Sequence, residues 1–188
     1  MIIKERKLKG AFEIQLEPKE DHRGFFMSSY DDKILEQYGI NKKWVQENHS
    51  FSKEKGTIRG IHLQLQPGTS AKLRRVVQGE IFDVFVDLRK DSETFGQWDS
   101  IVLSAENKKM IYIPRGFAYG MCSLTNDAAM VYRVDNYYAP ELERQIKWND
   151  PDLKINWPLE KEPIVSEKDT TAKSFKEFCE QYGGIEIN

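Results

Sequence analysis

The chain has 188 residues, 39% of them apolar and 31% charged, with a net charge of -2. This is the make-up of one ordinary globular domain, expected here over residues 1–188. It excludes a broadly basic surface for nucleic acid or anionic membrane, and no apolar run approaches the ~20 residues needed to span a bilayer.

The first ten residues, "MIIKERKLKG", lack the longer apolar core of a signal peptide. Taken in order, short runs rich in branched and aromatic residues predict strands over 12–16, 58–65, 72–77, 80–88, 100–104, 109–114 and 129–134, each bounded by Gly, Pro, Asn or Asp. "VVQGEIF" reads as a hairpin turning at Gln78-Gly79. Two helices are predicted. "DDKILEQYG" (31–39) starts on Asp and ends on Gly. The segment 171–184 spaces Phe175, Phe178, Cys179 and Tyr182 at helical intervals before Gly183, an apolar stripe suited to packing. Cys122 and Cys179 lie far apart in sequence and are expected to be free thiols in a reducing, cytoplasmic setting. Many short strands with few helices predict a mainly all-β antiparallel sandwich or barrel.

The stretch "TIRGIHLQLQP" (57–67) separates cleanly by period two. Ile61, Leu63 and Leu65 share one face, and His62, Gln64 and Gln66 the other. A small barrel can hold a ligand against such a polar inner face. His62 is one of three histidines. Gln64 stands where a second strand ligand would be needed, and neither His22 nor His49 has a His or Cys at ligand spacing, so no metal is expected. There is no G-x-S-x-G, P-loop or G-x-G-x-x-G. Two readings of His62 remain: a satisfied structural histidine, or a general base near neutrality. Tyr132, on the face shared by Met130 and Val134, is similarly either a core tyrosine or a residue with a chemical task. Acidic partners are available in 148–158 and 165–170, and Arg23, Arg59, Lys72 and Lys168 could meet an anionic ligand.

Taken together, "DHRGFF", "WVQENHSFS", "GTIRGIHLQ", "AKLRRVVQGEIFDVFVDLRKDSETFGQW", "YIPRGFAYG", "VYRVDNYYAPELER", "WNDPDLKINWP" and "VSEKD" resemble, in order, the blocks of the dTDP-4-dehydrorhamnose 3,5-epimerases. The resemblance covers roughly residues 10–170. It implies a cupin-type jelly roll with a few short helices, a homodimer, and no cofactor or metal. The implied activity is epimerisation next to the ketone of a nucleotide-diphospho-4-keto-6-deoxy sugar on the way to dTDP-L-rhamnose.

It further implies that His62 is the base, charged and oriented by Asp169. Tyr132 is implied as the acid on the opposite face, and Lys72 as the cation at the enolate oxygen. Arg23 and Arg59 match diphosphate contacts, and Gln46, Asn48, Glu143 and Lys168 match further substrate contacts. Phe26 is a candidate stacking surface for the base. Ser28 and Tyr119 occupy two more substrate-contact positions, where the family usually has Glu and His. These departures leave room for a C3-only epimerase or ketoisomerase acting on a GDP- or CDP-linked sugar. More distant readings are a metal-dependent cupin and a non-catalytic sugar-binding one.

Overall fold

The computed structural model describes residues 1–187. Two antiparallel sheets face each other. One holds β1 (Ile2–Glu5), β2 (Phe12–Gln15), β5 (Gln46–Ser52), β7 (Lys72–Gln78), β10 (Lys109–Ile113) and β12 (Ala128–Val134), in the order β1-β2-β10-β7-β12-β5. The other holds β6 (Thr57–Gln64), β8 (Glu80–Asp87), β9 (Trp98–Ser104), β11 (Phe117–Ser123) and β13 (Glu143–Gln145), in the order β13-β6-β11-β8-β9, with β14 (Ile164–Val165) added parallel to β6. A small hairpin, β3 (Lys19–Asp21) and β4 (Gly24–Phe26), stands apart from both. The helices are α1 (Asp32–Glu36), α2 (Glu167–Thr170) and α3 (Phe175–Tyr182).

From β5 to β8 successive strands alternate between the sheets, which is the jelly-roll wiring. This corrects the expected hairpin at Gln78-Gly79. The turn is there, with Gly79 at φ +69°. However, β7 pairs with β10 and β12 while β8 pairs with β9 and β11, so the turn is a corner between sheets. The local turn signal is real, but partner choice is a long-range matter that a seven-residue window does not contain. Both helices are shorter than predicted. The one at the C-terminus begins only at the Ser174–Glu177 capping box and stops at left-handed Gly183.

Period-two patterning sorts side chains into three apolar layers. Val76, Ile81, Phe85, Ile111, Ile113, Phe117, Met121 and Met130 fill one half of the space between the sheets. Leu73, Met110 and Tyr112 point the other way and are covered by Leu35 of α1. Ile61, Leu63, Val86 and Leu88 on the outside of the second sheet are covered by Phe178 of α3. Part of the outer face of each sheet is therefore covered. The inter-sheet space is apolar in one half and polar in the other, where the inward residues of β6, β7, β11 and β12 are His62, Lys72, Tyr119 and Tyr132. No helix among the described residues is long and apolar enough to cross a membrane.

One close approach fixes the polar half. Gly60 has φ +121°, and a Cβ there would lie 2.6 Å from Gly120 Cα and 2.7 Å from the Tyr119 carbonyl oxygen. The β6–β11 register slips at this point, between Tyr119 and Met121. Gly60→Ala should therefore cost ~2 kcal/mol or more in a urea titration, since strained backbone alone is worth about 1–3 kcal/mol; an unchanged midpoint would mean that the strand approach is slack.

Candidate active site

Strand β6 carries His62 inward at the mouth of the polar half. Its Nε2–H donates to Asp169 Oδ1 at 2.6 Å, which leaves the lone pair on Nδ1. Asp169 comes from α2, whose first turn is built by Ser166 as N-cap accepting from the Asp169 backbone N–H. The Asp169 side chain is 3% exposed, and its second oxygen accepts the Gly60 N–H at 3.2 Å. Burial works to raise this carboxyl's pKa. Hydrogen bonds and charge from His62, with the Gly60 N–H and Ser166, outweigh burial and hold it below the ordinary value. The aspartate is thus kept ionised beside the imidazole and fixes its orientation.

Across the pocket, on the other sheet, stand Lys72 and Tyr132. The Lys72 ammonium lies 3.6 Å from the centroid of the Tyr119 ring and 4.8 Å from that of Tyr132. Burial, then the neighbouring Arg74, draw the Lys72 amine well below the usual lysine range, against the pull of Asp83 and Glu143. Tyr119 pairs with His62 across β11 and β6, and burial pushes its hydroxyl well above the ordinary tyrosine value.

These four side chains form the wall shared by two adjoining lobes. The larger, of about 440 Å³, also takes in Arg59, Arg74, Lys168 and Asp169. The smaller, of about 270 Å³, takes in Gln46, Asn48, Tyr138 and Glu143. Together they are of small-ligand size. Arg59 is held by the Ser52 hydroxyl and the Phe51 carbonyl. Gln46 donates to Asn48 at 2.7 Å. Glu143 accepts from the Tyr138 hydroxyl at 2.7 Å and pairs with Lys168; these partners outweigh burial and lower its pKa. Arg59, Lys72, Arg74 and Lys168 give the pocket a cationic lining on a chain whose net charge is slightly negative, an arrangement that concentrates anionic ligands. Among the described residues, no three His, Cys, Asp or Glu side chains are grouped to hold a metal ion.

Ten of the thirteen residues implied by the resemblance thus border these lobes: His62, Tyr132, Asp169, Lys72, Gln46, Asn48, Arg59, Tyr119, Glu143 and Lys168. Arg23, Phe26 and Ser28 do not. Arg23 is 78% exposed and pairs with Asp21, while Phe26 at the end of β4 is 75% exposed. Sequence reasoning missed Arg74, Asp83 and Tyr138. Two of them carry a period-two signal: Arg74 repeats the inward register of Lys72, and Asp83 interrupts the inward series Ile81, Phe85.

The model of the dTDP-4-dehydrorhamnose 3,5-epimerases matches residues 5–177. The chain belongs to this family. A dTDP-4-dehydrorhamnose 3,5-epimerase from Shigella flexneri is 48% identical over 162 residues, covering 85% of this chain and 88% of the relative. The crystal structure of dTDP-6-deoxy-D-glucose-3,5-epimerase from Legionella pneumophila, in complex with dTDP-4-keto-L-rhamnose, superposes with a TM-score of 0.93. It is 39% identical and covers 100% of this chain and 98% of that one. A 3'-monoepimerase from Streptomyces bikiniensis in complex with dTDP-quinovose gives a TM-score of 0.88 at 32% identity, covering 97% and 91%. Family and fold are thus fixed, while relatives of different regiochemistry share the scaffold.

The lowered Asp169 carboxyl makes a prediction about acid. The unfolded aspartate takes up its proton near pH 4 and the native one only below that, so the stabilisation it provides is complete above about pH 4 and is lost as pH falls through the native value. Asp169→Asn should flatten the acid limb of the stability–pH curve measured by urea unfolding; an acid limb identical to that of the native protein would show that the His62–Asp169 contact is not formed in solution.

Proposed function

We propose that this protein inverts C3 and C5 of dTDP-4-dehydro-6-deoxy-D-glucose, forming the 4-keto precursor of nucleotide-linked L-rhamnose. The observation that carries the reading is the pairing of a half-buried, carboxylate-oriented imidazole on one sheet with a tyrosine hydroxyl and a lysine on the opposing sheet. A C–H next to a ketone is acidic because the enolate places its charge on oxygen. His62 Nδ1 takes that proton, and the imidazolium formed is stabilised by Asp169. Lys72 holds the enolate oxygen. The Tyr132 hydroxyl returns a proton from the other face, which inverts the centre. A positioned base or acid is worth about 10²–10⁴-fold, and one enolate-oxygen donor about 10²–10³-fold.

Arg59 and Lys168 are assigned to the diphosphate and sugar rim, and Gln46, Asn48 and Glu143 to the second lobe. We further propose a homodimer in which the exposed β3–β4 hairpin of one chain reaches the pocket of the other. Exposed Phe25 and Phe26 beside Arg23 support this, since a hairpin carrying such residues is otherwise a liability. The partner subunit's Arg23 would then join Arg59 on the diphosphate, and the partner's Phe26 would stack on the base, with Ser28 at the same boundary. The unpaired Cys122 and Cys179 favour a cytoplasmic setting.

In D₂O with dTDP-4-dehydro-6-deoxy-D-glucose, NMR should show deuterium entering at both C3 and C5. Entry at C3 alone would make the protein a monoepimerase, and entry at neither would overturn the reading. His62→Ala should lose about 10²–10⁴-fold in exchange while calorimetry still finds dTDP bound; unchanged exchange would remove His62 as the base. The dimer has its own test. Arg23→Ala and His62→Ala, each weak alone, should regain about a quarter of native activity when dissociated and reassembled together, because half the dimers then hold one complete site. No regain on mixing would place each site within one chain.

A further inference from the structure

Beneath Lys72 lies a buried ion pair that the reaction above does not use. Arg74 on β7 and Asp83 on β8 meet from opposing sheets, with Nη1 3.0 Å from Oδ1; their side chains are 4% and 0% exposed. The contact is off the line of a hydrogen bond. Arg74 Nε and Nη1 and both Asp83 oxygens have no hydrogen-bond partner among the described residues, and Nη2 reaches only Met130 Sδ at 3.4 Å. Charge alone therefore holds the pair, in a place where an apolar pair would cost less desolvation.

Lys72 is in the complementary position. Among the described residues its ammonium has no ion pair or hydrogen bond, only the ring faces of Tyr119 and Tyr132. The two carboxylates whose charge reaches it are Asp83 and Glu143. Glu143 is taken by Lys168 and Tyr138. Asp83 is taken by Arg74.

We propose that Arg74 is a positioning residue that holds Asp83 as its own counter-ion, so that Lys72 meets the enolate oxygen without a carboxylate partner. The proposal rests on the epimerase reading. A Lys72 already paired with Asp83 would present little net charge to the enolate, and the pair would have to open during the reaction. Ring faces stabilise an ammonium without neutralising it, which leaves its charge for an incoming anion. The groups facing Lys72 are His62, Arg74, Asp83, Tyr119, Tyr132 and Glu143. Of these, Arg74 works to lower its proton affinity, and Asp83 and Glu143 to raise it.

The test separates this role from a structural one by rescue. Arg74→Met frees Asp83, and kcat should fall about 10–10²-fold with KM within about threefold. Arg74→Met/Asp83→Asn removes both charges, and kcat should recover to within about tenfold of native. A native kcat in Arg74→Met, or a folded double variant as slow as the single, overturns the proposal. If Arg74→Met does not fold, the double variant is judged against the native protein: kcat within about tenfold of native is expected, and a larger loss overturns the proposal. If neither folds, Arg74→Lys decides: a cation kept on Asp83 should retain activity within about tenfold, and a loss of about 10²-fold overturns the role. A second readout needs no substrate. The Lys72 Cε resonance, assigned by its loss in Lys72→Met, should titrate at higher pH in Arg74→Met than in the native protein and return in the double variant; an unmoved titration also overturns the role. Failure of the epimerase reading would show separately, as a native protein that catalyses no exchange.

Discussion

The hydrogen bond between His62 and Asp169 joins residues 107 apart in the chain, and the rest of the site is arranged around it. For Asp169 to reach His62, α2 must sit against the outer rim of β6, and the carboxylate must find a second donor to tolerate burial. That donor is the Gly60 N–H, at the point where β6 and β11 approach so closely that Gly60 has no room for a side chain. A backbone constraint thus becomes an electrostatic one. Gly60 adds its N–H to the hydrogen bond and charge of His62 that keep Asp169 ionised, and ionised Asp169 fixes which imidazole nitrogen is basic.

Much of the fold was legible in local pattern. The strand containing Ile61–Leu63 shows period two, and those containing Ile111–Ile113 and Met130–Val134 follow from runs of branched and aromatic residues bounded by turn residues. What local pattern does not hold is the identity of each strand's neighbour. The corner at Gln78-Gly79 looks like a hairpin turn, and it takes the pairing of β7 with β10 and β12 to show that the chain has crossed to the other sheet. The short strands β3, β4, β13 and β14 were invisible for a related reason. They are polar or only two or three residues long, and they exist because a neighbour offers a ladder, as β6 does for β13 and β14.

The site divides in the same way. On the residues alone a structural role was the better explanation of His62, and its partners were scattered from position 72 to position 169. Only the ordered blocks of family resemblance drew them together. That resemblance was also silent on which chain supplies a contact: Arg23, Phe26 and Ser28 belong to the pattern yet lie off the pocket of their own chain. Arg74 and Asp83 were missed for the opposite reason. Each is an ordinary charge in a charged sequence, and only their inward register in apolar strands marks them as buried.

That burial matters for how the pocket handles charge. It sets two cations of β7, Lys72 and Arg74, close together in a low-dielectric space, where each would normally demand an anion of its own. The chain meets the demand in two ways. Arg74 has Asp83, and Lys72 has only the π faces of Tyr119 and Tyr132. The cation with the weakest claim on a carboxylate is the one set beside the reacting carbonyl in the proposed mechanism. A ring quadrupole attracts an ammonium without cancelling its charge, so Tyr119 does for Lys72 what an acidic residue could not do without competing with the enolate. In this light, a tyrosine at position 119 is compatible with the epimerase chemistry. Its ring seats the lysine, and its hydroxyl, held protonated by burial, adds no negative charge where the enolate must form.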